Sequence, residues 1–140
     1  MYAFGHVFKK QSFLFLLGLE IKKAQRYRNC LSLLSLTFTQ LSAPLENRTI
    51  PLKTLANVLR HELRETDIVG QEGTNRLLIM LAHADMIGAY KVRERVEQAL
   101  QHHGFGGKGL TMEIHEVCFP TCPVDDLLRM AASGAPVDHP

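Results

Sequence analysis

Strand-like and helix-like apolar runs alternate along most of this chain. Three segments have the apolar character of buried strands, namely Leu31–Phe38, Arg76–Leu81 and Leu110–Phe119. A shorter run, Asp67–Val69, is joined to Arg76–Leu81 by a polar, glycine-containing stretch, so we predict a hairpin with a turn longer than two residues. Strands that are separated by helices imply crossovers onto a shared sheet. The sequence therefore predicts an α/β (α+β) fold with a single sheet and helices packed on its faces.

Apolar residues at helical spacing predict four helices. They run over Val7–Tyr27, Pro51–Leu63, Asp85–His102, and from Asp125 or Asp126 to Ala132. Proline and glycine predict loops over Ala43–Thr49 and His103–Lys108. We expect one domain over residues 1–132 and a disordered tail over residues 133–140.

Composition narrows the functional class of the chain. The net charge of +2 is too small to argue for a nucleic-acid partner. Phe13–Leu19 is apolar but far shorter than the roughly 20 residues of a membrane span, so we expect no span and a buried helix face instead. The cysteines Cys30, Cys118 and Cys122 are too few for a disulfide framework, and the Cys118–Cys122 spacing is not that of a zinc motif. We expect reduced thiols and a cytoplasmic protein.

Several short sequence patterns follow one another in a fixed order. They are Glu20-Ile21 with Ala24 and Arg26, Leu31–Leu34, Arg64 with Asp67, Gly73–Leu77, Leu110-Thr111 and Asp126–Leu128. In this order, and with five residues between Asp67 and Gly73, they resemble the GGDEF domain of bacterial diguanylate cyclases. The resemblance covers about Phe13–Ala132 and implies a sheet of the nucleotidyl-cyclase type.

The chain departs from the GGDEF pattern where the family has its catalytic residues. In the five-residue signature only Gly73 is kept, and Arg76 stands where the family has an acid. Thr37 stands where a strand of the family delivers a metal-binding aspartate. Magnesium prefers carboxylate oxygens, which neither threonine nor arginine provides. We therefore expect no catalytic residues, no metal ligands, no cofactor and no enzyme activity.

A second set of residues does match the family. There, Arg-x-x-Asp and an arginine of the next helix form a product-inhibition site for cyclic di-GMP, and Arg64, Asp67 and Arg95 stand at those positions. An arginine fork grips phosphate or the guanine edge, while the aspartate accepts from guanine nitrogens. The resemblance implies a degenerate signalling domain that binds cyclic di-GMP as a receptor.

The same three residues also fit a plainer interpretation. Arg64 and Asp67 are three positions apart at a predicted helix end, where such a pair is often an ordinary surface contact. The chain would then be a nucleotide-independent interaction or dimerisation module. Its partner would be a second copy or a neighbouring signalling domain.

Overall fold

The computed structural model describes residues 2–4, 6–40, 52–73, 75–102 and 110–133. Strands and helices alternate along these ranges, as the apolar periodicity predicts. In chain order they are β1 (Tyr2–Phe4), β2 (Val7–Lys9), α1 (Lys10–Tyr27), β3 (Leu31–Gln40), α2 (Leu52–Glu62), β4 (Ile68–Glu72), β5 (Arg76–Ala82), α3 (Met86–His102), β6 (Leu110–Phe119) and α4 (Val124–Ser133).

The six strands form one mixed sheet in the order β1-β2-β4-β5-β3-β6. β2 and β4 pair in parallel, whereas the other neighbouring strands are antiparallel. β3 is an inner strand that pairs along its length with β6 and along most of it with β5, so that Leu34 lies between Ile79 and Glu116. The predicted α+β fold with a single sheet is confirmed.

Alternation along the strands divides the core between the two faces of the sheet. Leu34, Leu36 and Phe38 of β3 are fully buried on the face that α2 and α3 cover. Leu31 and Leu33 are buried on the opposite face, under α1 and α4. Both faces of the sheet are thus closed by helices, whose apolar stripes supply the other half of each core.

The first helix starts later than the sequence predicts. Val7–Lys9 is the strand β2, and α1 begins at Lys10. The reason is non-local: Phe8 and Lys9 pair in parallel with Gly70 and Gln71 of β4, and backbone hydrogen bonds to so distant a segment override local helical periodicity.

Close packing fixes α1 over β4. A Cβ atom built on Gly70 would lie 2.6 Å from Cγ and Cδ2 of Phe13, which is itself fully buried. Only glycine permits this approach of helix and strand. The N-terminal segment is therefore held to the sheet by strand pairing and by packing.

The remaining predicted segments are only partly described. The loops over Ala43–Thr49 and His103–Lys108 and residues 134–140 lie outside the described residues, and Ser133 is the last residue of α4. Of the helices that the structure describes, none combines the length and the apolar character needed to cross a membrane.

Candidate functional site

Arg64 and Asp67 form a closed turn directly after α2. The Arg64 amide donates to Asp67 Oδ2 at 2.9 Å, and the Asp67 amide donates to the Arg64 carbonyl oxygen at 3.0 Å. Arg64 Nη2 lies 3.3 Å from Asp67 Oδ1. The Asp67 side chain is completely buried, whereas that of Arg64 is 57% exposed. The aspartate therefore fixes the turn from within and leaves the guanidinium at the surface.

The Arg64 guanidinium is held by one of its nitrogens. Nη2, which faces Asp67, also donates to the carbonyl oxygen of Ala82 at 2.9 Å, at the end of β5. Nε and Nη1 donate to no group among the described residues. The fork is thus fixed in orientation while donors remain free for a ligand.

Arg95 of α3 lies at the same end of α2. Its Nη2 donates to the carbonyl oxygen of Glu62, the last residue of α2, at 2.9 Å. Cations are favoured where helix carbonyls are left unpaired, which explains why an arginine of α3 turns to this place. The structure thus brings Arg64, Asp67 and Arg95 to one region around the carboxyl end of α2.

Arg76 and Thr37 are direct cross-strand partners in β5 and β3. The two positions at which the sequence pattern lacks the family's acids are therefore neighbours. Arg76 is only 6% exposed, and its Nε donates to Ser35 Oγ at 2.9 Å. Its other nitrogens contact the Glu72 carboxylate and the Met130 carbonyl oxygen of α4. Burial lowers the pKa of Arg76, and the Glu72 charge opposes that shift.

Lys10, whose side chain is 37% exposed, extends this network to the surface. Its Nζ lies 3.3 Å from Glu72 Oε1 and donates to the Ala132 carbonyl oxygen at 2.8 Å. Two cations therefore share one carboxylate and hold the carbonyl end of α4 against the sheet. No group of three or more metal-ligating side chains occurs in the part of the chain that the structure describes. The sequence patterns do not indicate this network, apart from the polar Ser35 within an apolar strand.

A cleft lies between α2 and the N-terminal strand, on one side of the Arg64 turn. We call it the α2–β2 cleft; its volume is about 630 Å³. Its basic side chains are His6, Arg60, His61 and Arg64, its acidic ones Glu65 and Asp67, and its apolar ones Phe8, Leu16, Leu63, Ile68 and Val69. Arg95 does not line it. Of its polar side chains only His6 comes from the N-terminal segment, and Phe8 belongs to a strand that was predicted as the start of a helix, which is why sequence patterns miss the cleft.

His6 has an unusual environment in this cleft. Its Nε2 is buried and has no hydrogen-bond partner among the described residues. Burial lowers the pKa of His6, and the positive charge of Arg60 lowers it further. The imidazole is therefore neutral at pH 7 and stands beside a cation.

The cysteines are free thiols, and burial disfavours the thiolate form of Cys118 and Cys122. Ser32 Oγ donates to the buried Cys118 Sγ at 3.2 Å, and burial raises the pKa of Cys118. Burial raises the pKa of Cys122 to about 11. Protonated thiols of this kind are weak nucleophiles and weak metal ligands.

The sheet order, the helices on both faces and the hairpin β4–β5 give an α+β fold that is similar to the fold of solved GGDEF domains. The GGDEF domain of FimX from Pseudomonas aeruginosa superposes with a TM-score of 0.73 at 17% identity, over 90% of this chain and 85% of that chain. The GGDEF domain of DgcB from Caulobacter crescentus, solved with c-di-GMP, gives 0.71 at 9% identity, over 91% of this chain and 80% of that chain.

A third solved structure contains a protein partner. Diguanylate cyclase SiaD from Pseudomonas aeruginosa, in complex with its activator SiaC, gives a TM-score of 0.73 at 18% identity. The match covers 92% of this chain but 53% of SiaD, so the chain spans about half of that protein. No protein-family model and no curated protein matches the sequence. The likeness at these identities is one of fold.

Proposed function

We propose that this domain is a catalytically inactive GGDEF-like signalling domain that acts as a receptor for cyclic di-GMP through Arg64, Asp67 and Arg95. The observation that carries the proposal is the Arg64 guanidinium, which is exposed and fixed through Nη2, and whose Nε and Nη1 have no acceptor among the described residues. A fork that is already oriented loses little conformational entropy on binding a phosphate or a guanine edge.

Each of the three residues has a separate role in this proposal. Arg64 grips the ligand, and Arg95 supplies a second positive charge for a ligand with two phosphodiesters. Asp67 is a positioning residue, because its buried carboxylate already accepts from the Arg64 amide and guanidinium. A likeness to the DgcB domain, whose solved structure contains c-di-GMP, supports the choice of ligand.

Arg76 and Thr37 support the absence of cyclase activity. Arg76 occupies its position with a buried guanidinium whose nitrogens are all engaged by Ser35, Glu72 and Met130. A divalent cation would meet the positive charges of Arg76 and Lys10 there, and the neighbouring Glu72 carboxylate is already paired with both. With GTP and Mg²⁺, we therefore expect no cyclic di-GMP to form; product formation that Arg76→Ala abolishes would contradict this part of the proposal.

Calorimetry with cyclic di-GMP tests the receptor function. We expect the wild-type domain to bind, Arg64→Ala to abolish binding and Arg95→Ala to weaken it. Arg64→Lys keeps the charge and loses the fork, so it separates geometry from net charge. Arg26→Ala, an exposed arginine on α1, is the matched control and binds like wild type. Ligand at about a hundred times its Kd also stabilises the fold by about 2.7 kcal/mol, which a melting shift detects.

Two results would refute the receptor function, namely no binding by a folded wild-type domain, or binding that depends on net charge alone. If wild type gives no heat and no melting shift with cyclic di-GMP, while circular dichroism shows a folded domain, the site is not a receptor. If Arg64→Ala and Arg26→Ala weaken binding alike, binding follows net charge rather than the Arg64 fork.

A second candidate function is a nucleotide-independent interaction module. Its support is an exposed apolar pair on α1, Phe15 at 68% and Leu19 at 43% exposure, one helical turn apart. SiaD, of similar fold, was solved with a protein activator. Sedimentation of wild type and Phe15→Ser, with and without cyclic di-GMP, tests this function. Self-association that the variant loses, and that cyclic di-GMP does not change, favours the interaction module over the receptor.

A further inference from the structure

Arg60 lines the α2–β2 cleft and has no counter-charge among the described residues. It is exposed on the last turn of α2, and no carboxylate among the described residues pairs with it. Of the two acids that line the cleft, Asp67 is occupied by Arg64, and Glu65 pairs with no described cation. The guanidinium of Arg60 therefore has donors available on the cleft side.

His6 approaches Arg60 from a different part of the chain. It precedes β2, which is fixed to the sheet edge by pairing of Phe8 with Gly70. His6 and Arg60 line the same cleft, and the buried His6 Nε2 has no hydrogen-bond partner among the described residues. The carbonyl end of α2 favours cations on its own last turn, but this does not explain why a histidine of another element lies there unpaired.

Apolar side chains surround these polar groups. Phe8 of β2, Leu16 of α1 and Ile68 of β4 line the cleft, and all three are half-buried. The volume of about 630 Å³ lies within the range of roughly 300–1,000 Å³ that is usual for small-molecule sites. Two basic groups that have no partner among the described residues, next to the Phe8 ring, suit an anion that carries a flat ring.

We infer that the α2–β2 cleft is a second phosphate-binding subsite, in which His6 and Arg60 hold a phosphodiester of the nucleotide that Arg64 grips and Phe8 lies beside a base. This inference rests on the proposed function for the identity of the nucleotide. What the cleft adds is a phosphate contact at His6 and Arg60, and the uptake of a proton by His6 when the phosphate binds.

The charges around His6 predict that it takes up a proton when the ligand binds. In the free protein His6 is neutral at pH 7, because burial and Arg60 both disfavour its charged form. A phosphate between His6 and Arg60 reverses this preference, so His6 takes up a proton as the ligand binds. Binding therefore tightens as the pH falls through the pKa of His6 in the complex and levels off below its pKa in the free protein.

The other charged groups facing His6 limit this coupling. Arg60 and His61 lie on the last turn of α2, and Arg64 lies in the turn that follows it. Glu65 and Asp67 belong to the same turn and are the acidic groups of the cleft. His61 is a second histidine in the cleft, so its contribution must be separated from that of His6. His6→Gln removes the proton at residue 6 and leaves His61 in place.

The test follows the histidine ring signals by NMR over a pH series, with the His6 signal assigned from the His6→Gln spectrum. Two probes are used separately, pyrophosphate and cyclic di-GMP. We expect each probe to raise the pKa of His6 by about one unit, equivalent to about tenfold tighter binding at low pH than at high pH. Arg60→Gln abolishes the shift, and Arg26→Gln, on the exposed face of α1, leaves it unchanged.

The outcomes separate the cleft from the receptor function. If cyclic di-GMP binds wild type and Arg60→Gln equally, with no change in the His6 pKa, the cleft inference is overturned and the receptor function stands. If pyrophosphate shifts His6 but cyclic di-GMP does not bind, the cleft stands and the receptor function fails. If neither probe moves the His6 signal or binds, both fail.

Discussion

Removing the Arg76 guanidinium tests whether this side chain holds the domain together. Arg76 joins β5 to β3 through Ser35, to Glu72 of β4 and to the Met130 carbonyl of α4, and it is 6% exposed. Hydrogen bonds to a charged group contribute about 1.5–3 kcal/mol each before desolvation is subtracted. Breaking such a buried pair from one side typically costs about 3–5 kcal/mol. We expect Arg76→Ala to lose an amount in that range.

The size of this loss has a structural origin. Arg76→Ala leaves the Ser35 hydroxyl, the Met130 carbonyl and one Glu72 oxygen without their present partner, while Lys10 still pairs with Glu72. Arg76→Met retains apolar bulk, so it recovers about 1–2 kcal/mol of the loss. Arg76→Glu places a second carboxylate beside Glu72 and destabilises most.

Urea unfolding followed by circular dichroism measures these differences. The midpoint falls in the order wild type, Met, Ala, Glu, and the m-value stays constant if the native state keeps its compactness. Arg26→Ala is the surface control and changes stability by less than about 1 kcal/mol. A loss below about 1 kcal/mol for Arg76→Ala would show that the buried contacts contribute no net stability and would refute the reasoning.

Three further predictions concern other parts of the fold. Gly70→Ala places a Cβ 2.6 Å from the Phe13 ring, so urea unfolding should show a loss of about 1–3 kcal/mol that is not additive with Phe13→Leu. The lowered pKa of His6 means that the unfolded chain takes up this proton first; stability therefore falls as pH drops below about 6.5, and His6→Gln should flatten that part of the unfolding profile. With a pKa of about 11, Cys122 is thiolate in only about one molecule per thousand at pH 8, so mass spectrometry should show it alkylated far faster in urea than in the native protein.

The apolar periodicity predicts most of the fold because the spacing of apolar residues within each segment indicates which of its side chains are buried. The doubly buried strand Leu31–Phe38, the β4–β5 hairpin and the four helices each show their buried residues as a pattern within the segment itself. β2 was missed because its pairing partner, β4, lies far along the chain. Three residues of strand next to a long helical pattern carry no local signal of their own.

The candidate site was predictable in its residues and not in its contacts. The pattern of Arg64, Asp67 and Arg95 is visible in the sequence, but their main acceptors include backbone carbonyls of Glu62 and Ala82, which any residue type supplies. Met130 likewise accepts from Arg76 through its backbone carbonyl, so the sequence does not indicate this contact. The α2–β2 cleft joins His6 to Arg60, and only the folded chain brings these two together.

The position of β3 between β5 and β6 has a consequence during synthesis of the chain. β3 is made early, yet its partners β5 and β6 leave the ribosome much later, and β6 covers one of its two edges over all ten residues. Until β6 emerges, a strongly apolar strand keeps an open hydrogen-bonding edge, the kind of edge that recruits other strands. The nascent protein is thus most prone to aggregation between the appearance of Gln40 and that of Phe119, and chaperone contacts should concentrate in that interval.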